Sequence, residues 1–137
     1  MSVRVGERSE GKLQVLNDIR LLAEYTLRIC KSDKVFPKSS RWIMANRLVN
    51  ECLDAYGCVR RANATPLDEI NITYRNRQQT ECKAHLEALL GFIDLAYTVF
   101  HIDENKIQHW VKLTNNVEKK LAGWEKSDKE RINGTHK

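Results

Sequence analysis

Apolar residues return along this chain at three- and four-residue steps, the spacing of one face of an α-helix. From Leu13 to Cys30, the positions Leu16, Ile19, Leu22, Ala23, Leu27 and Cys30 fall on one side and predict a first helix. Val35-Phe36-Pro37 then interrupts it, because the proline ring holds Phe36 in extended geometry. A second helix, with Ser39 or Ser40 as its N-cap, is expected to reach about Asn63 and to bury Met44, Ala45, Leu48, Cys52, Ala55, Val59 and Ala62. A second apolar row on it, Trp42, Val49, Leu53 and Tyr56, lies roughly 100° around the helix axis. That width fits either a central helix or one whose second row meets another subunit.

Thr65-Pro66-Leu67-Asp68 has the chemistry of a helix start, whereas the β-branched run from Ile70 to Thr73 delays one, so a third helix is expected from either Pro66 or Thr73. Its second half buries Leu86, Leu89, Leu90, Ile93, Ala96, Tyr97 and Phe100. Asp103 is the expected cap of a fourth helix, stapled by Ile102 and Ile107 and carrying Trp110, Val111, Val117, Leu121 and Trp124. The pattern fades after Trp124. Four amphipathic stripes joined by short connections can close only on one another, which predicts an all-α, antiparallel up-and-down four-helix bundle over residues 13–126. Residues 1–12 and 127–137 are expected to form flexible ends.

Composition adds little to this picture. In 137 residues there are 2 Pro and 6 Gly, which leaves long helices uninterrupted. No apolar run approaches the length of a membrane span, and the first twelve residues lack the pattern of a secretion signal. Cys30, Cys52, Cys58 and Cys82 stand among core positions without Cys-x-x-Cys spacing, as reduced thiols in a cytoplasmic protein would. The three Asn-x-Ser/Thr sequons, at Asn63, Asn71 and Asn133, would then be accidental. Net charge is +5 and the pI about 9.1, a basic surface suited to a polyanion.

Catalytic chemistry is not apparent. Cys82 and His85 share a face but supply too few ligands for a metal, and phosphate loops, nucleophile elbows and His-Glu-x-x-His helices are absent from the sequence. No catalytic residue, metal or cofactor is expected. The polar positions Arg75, Gln78 and Gln79 continue the core-facing line of the third helix, so Arg75 must find a carboxylate or carbonyl partner or face an opening. With Arg60, Arg61, Arg77 and Lys83 near in sequence, that end reads either as a phosphate-binding patch or as an arginine network tying two helices together. Tyr74 and Trp42 are the exposed aromatics that could stack on bases.

The chain resembles the four-helix-bundle accessory proteins of diversity-generating retroelements, which are related to the bundle proteins encoded in intervening sequences of bacterial 23S ribosomal RNA. The likeness spans roughly residues 13–131. It is carried by Val35-Phe36-Pro37-Lys38 with Arg41, Asn46-Arg47-Leu48, Ala62-Asn63, Arg75-x-Arg77, and Trp124 followed by Lys126. The resemblance implies a non-enzymatic homopentamer that binds template RNA and DNA with little sequence preference and associates with a reverse transcriptase. By carry-over, Lys38, Arg41, Arg60, Arg61, Arg75 and Arg77 are its candidate nucleic-acid-binding residues. Arg41 has a second expectation, since its phase places it on the apolar side where it would serve folding. Two alternatives stand beside this reading: a ribosomal-RNA-insert bundle protein, and a small-molecule enzyme with a site between helices two and three.

Overall fold

The computed structural model describes residues 3–135, with side chains from 14 to 134. Its elements are α1 (Val3–Cys30), a short α2 (Lys38–Ser40), a π-helical turn (Arg41–Ala45), α3 (Asn46–Ala64), α4 (Ile72–Phe100) and α5 (Glu104–Thr135). The described residues contain no strand. Four long helices close in a ring, because α1 packs on α3 and α5 while α4 packs on α3 and α5.

Cross-helix bonds fix which ends meet. Trp110 of α5 donates its indole N–H to Thr26 of α1 at 2.9 Å, and Tyr25 reaches the Lys106 carbonyl at 3.2 Å. Phe36 stacks edge-on to Phe100 at 5.3 Å, and Glu51 meets His85 at 2.7 Å. Arg61 donates to Gln78 at 2.8 Å. The beginning of α5 therefore lies against the end of α1, and the end of α3 against the beginning of α4.

The core runs the length of the ring from Val15, Ile19 and Leu22 through Leu48, Leu86, Leu89 and Ile93 to Trp110, Val117 and Leu121. Burying each large apolar side chain stabilises the fold by about 1.5–3 kcal/mol, an upper figure because the unfolded chain is itself partly collapsed. In α1 the buried stripe passes through Thr26 rather than Leu27, which is exposed. The cause is the Trp110 indole, whose buried N–H requires an acceptor that leucine lacks. Tyr97 is likewise exposed, in contrast to its expected place on the core face of α4.

Helix ends also depart from expectation. The second helix starts at Lys38 with no side-chain cap from Ser39 or Ser40. Phe36 is sealed in the core, the Ser32 carbonyl accepts its N–H at 2.9 Å, and the chain enters helical geometry directly after Pro37. Thr65 ends α3 instead of starting α4: its hydroxyl donates to the Arg61 carbonyl and its N–H to that of Ala62. Asp68 then receives the N–H groups of Ile70 and Asn71, and α4 starts at Ile72. These bonds from Asn71 and Ile70 hold the Asp68 carboxyl below its usual range. Asp103 receives the Lys106 N–H at 3.3 Å as an N-cap does, with Ile102 buried and Ile107 packed against the core. His101 closes α4 at φ 54°, the left-handed geometry common at helix C-termini and costly for a residue with a Cβ.

The two ends expected to be flexible are helical wherever they are described, α1 from Val3 and α5 through Thr135. Met1, Ser2, His136 and Lys137 lie outside the described residues. Asp128 is buried, so α5 contributes to the interior beyond Trp124.

Candidate nucleic-acid interface

The six basic residues expected to bind nucleic acid separate into two groups at opposite ends of the ring. Lys38 and Arg41 precede α3, whereas Arg60 and Arg61 stand near its C-terminus, about 28 Å farther along a helix rising 1.5 Å per residue. Arg75 and Arg77 open α4 at the second end.

Within each group the roles differ. Lys38 is exposed and has no ion pair among the described residues. Arg41 is occupied: Nε donates to the Phe36 carbonyl at 3.2 Å and Nη2 pairs with Asp33, pinning the hinge before α2. Arg61 lies back along its own helix, with Nε on Gln78 and Nη2 on the Cys58 sulfur at 3.3 Å. Gly57 makes room for it, since a Cβ there would stand 3.1 Å from the guanidinium. Arg60 and Arg77 are exposed and have no carboxylate partner among the described residues.

Arg75 does not belong to any outward surface, which corrects its inclusion among the binding residues. Its side chain is 5% exposed and that of Asp128 2%, with Arg75 Nε donating to one carboxylate oxygen at 2.7 Å and Nη2 to the other at 3.1 Å. Nη1 donates to the Thr65 carbonyl at 2.8 Å, and the guanidinium lies 5.2 Å from the centre of the Trp124 ring. Gln79 adds a third donor to Asp128 at 2.9 Å, leaving its own Oε1 buried without a hydrogen-bond partner among the described residues. The lock joins the first turns of α4, the end of α5 and the loop after α3. Of the two partners anticipated for Arg75, carboxylate and carbonyl, the structure supplies both.

Asp128 is the residue that sequence reasoning missed. Its signal was present, since Val117, Leu121, Trp124 and Asp128 follow one another at steps of four, three and four and so share one face of α5.

No group of three or more His, Cys, Asp or Glu among the described residues is arranged to hold a metal ion. Cys82 is buried and His85 turns to Glu51. Asp54 and Glu81 lie near enough to Cys58 to oppose its ionisation, so the basic end is flanked by acidic groups. Tyr74, exposed on the first turn of α4, stands one helical turn before Arg77. No described helix is long and apolar enough to cross a membrane. The chain matches no protein-family model, no curated protein and no solved structure.

Proposed function

We propose that this chain is a non-enzymatic binding protein, an antiparallel up-and-down bundle that assembles with copies of itself and holds nucleic acid electrostatically at the end formed by α3 and the start of α4. The observation that carries this reading is the state of Arg60 and Arg77: both are exposed and unpaired among the described residues, while Arg41 and Arg75 are spent on internal bonds. Tyr74, exposed one helical turn before Arg77, offers a ring on which a base can stack. Lys38 would contact a polyanion only as a separate point at the far end, or beside another subunit.

Non-enzymatic function is supported by the sealing of the Arg75, Gln79 and Asp128 constellation, which a small-molecule site would need open. Self-assembly is supported by Leu53 of α3 and by Leu21 and Leu27 of α1, all exposed on neighbouring helices. Four free buried thiols accord with a reducing, cytoplasmic setting. The partners in this proposal are a reverse transcriptase with its template RNA and complementary DNA. They rest on the resemblance to retroelement accessory proteins, and the homopentamer rests there too. A ribosomal-RNA-insert protein is the second reading, and a gene neighbourhood holding an RNA insert in place of a reverse transcriptase and repeat pair would favour it.

A titration of single-stranded RNA and DNA against salt tests the binding surface. Affinity is expected to fall steeply with salt, and an Arg60→Ala/Arg77→Ala variant should lower the log–log slope by about one to two, since each lost phosphate contact removes about 0.7–0.9. An unchanged slope overturns the assignment.

A further inference from the structure

We propose that the face shared by the π-helical turn and the last turns of α4 receives an acidic amphipathic helix from a protein partner. The inference rests on the reading of this chain as a binding protein, and it names a surface separate from Arg60 and Arg77.

Trp42 and Ile43 are 71% and 58% exposed, and Leu95 and Val99 of α4 are 50% and 56% exposed. The two pairs lie at one level along the bundle axis. Phe36 touches Phe100 and Glu51 touches His85, so the residues between Phe36 and Glu51 run alongside those between His85 and Phe100. Val99 also stands two heptads beyond His85, and His85 one heptad beyond Gln78, both of which bond to α3. That phase turns Val99 toward the α3 side of α4. The π-helical turn has a second consequence, because its wider winding breaks the phase that would have carried Trp42 along the half-buried row of Val49 and Tyr56.

Ala84, Ala88 and Gly91 precede Leu95 at steps of four, three and four, forming a track of small side chains along α4 that the exposed carboxylates Glu87 and Asp94 border on the side away from Val99. A Cβ at Gly91 would meet nothing within 4 Å. A helix lying along this track can approach the backbone closely and place its apolar side against Leu95, Val99, Ile43 and Trp42.

Charge selects the partner. Residues 34–50 contain no Asp or Glu, and the exposed cations Lys38 and Arg47 border the two apolar side chains of the turn without ion pairs among the described residues. Asp94 is the nearest carboxylate in sequence on α4, and helical phase turns it about a quarter-turn from Leu95, away from the Val99 side. An acidic flank on the incoming helix would complement this rim, and a basic one would be repelled. Nucleic acid fits less well, since three of the four exposed side chains are aliphatic and offer no ring for a base.

Trp42 is itself the probe. Trp110 and Trp124 are buried, so a change in emission on binding reports on the exposed indole. The full chain is titrated with a synthetic amphipathic peptide carrying leucine on one face and glutamate on the other, and with its lysine counterpart. The acidic peptide should shift the emission to the blue and saturate, and the lysine peptide should bind at least about tenfold more weakly. A Leu95→Glu/Val99→Glu variant, at exposed positions, should keep the thermal melt and the salt slope for nucleic acid but lose the response to peptide. The proposal is overturned if the acidic peptide leaves the emission unchanged, if both peptides act alike, or if the variant still responds. It is also overturned if a single-stranded oligonucleotide or anionic vesicles produce the shift where the peptide does not. Failure of the nucleic-acid reading would appear in the Arg60/Arg77 titration and leave the peptide response intact.

Discussion

A guanidinium in an apolar seam is tolerable only when its donors are met, and Arg75 meets that condition with three hydrogen bonds and an indole face. Removing the acceptor while keeping the cation is therefore the harmful change. Asp128→Ala should destabilise the fold by about 3–5 kcal/mol, read as a lower urea midpoint with unchanged slope, because a buried charge is left uncompensated. Replacing both partners, as Arg75→Met with Asp128→Leu, should recover most of that loss. A single variant as stable as the parent would show that the pair is not sealed. The need for a partner was legible from Arg75 alone, since a charged residue stood where the stripe of α4 required an apolar one. Asp128 was harder to see because few apolar neighbours in α5 mark the last turns as interior. Thr26 shows the same limit: its burial answers the Trp110 indole, a demand set by a residue far away in sequence.

At the level of elements, periodicity found the four long helices and most of their buried faces, as Leu48, Cys52, Ala55, Val59 and Ala62 in α3 illustrate. It missed the π-helical turn, because a constant angular step per residue cannot register a local widening of the helix. It left the start of α4 open between Pro66 and Thr73, since both a cap and a closing turn use the Thr65 hydroxyl, and the helix begins at Ile72, next to the later of the two. The seam between α4 and α5 makes a separate statement about pH. Glu118 is pushed up to about 7 by desolvation and by its hydrogen bond and repulsion with Glu87, against the opposing pull of Lys83. The folded state therefore holds a proton that the unfolded state releases near its ordinary value of 4.5. Stability from this group is greatest below 4.5 and is lost as pH rises toward 7. Glu118→Gln should flatten the melting temperature across that interval and raise it above pH 7, and a variant that melts like the parent at both extremes would refute the coupling.

Taken whole, the molecule has exposed apolar groups around the π-helical turn at one end and, around the start of α4 at the other, exposed arginines with no carboxylate partner among the described residues, joined by a core that contains every cysteine. That arrangement makes thiol chemistry a measure of how the bundle opens. Burial pushes Cys30 up to about 12 and Cys52 to about 11, and Cys82 is raised further, so little reactive thiolate forms in the folded state. Cys58 is raised as well, but Arg61 opposes the shift and donates a hydrogen bond to its sulfur close to the α3 terminus. Under native conditions at mildly alkaline pH, a disulfide-exchange reagent should modify Cys58 first, through local opening of that end. Cys30, Cys52 and Cys82 should follow together at a slower rate that tracks global unfolding. Asp128→Ala should accelerate that slower phase by lowering the cost of opening. If mass spectrometry after short labelling showed Cys30, Cys52 and Cys82 reacting at separate rates, the four helices would not open as one cooperative unit. The two ends would then be stabilised independently.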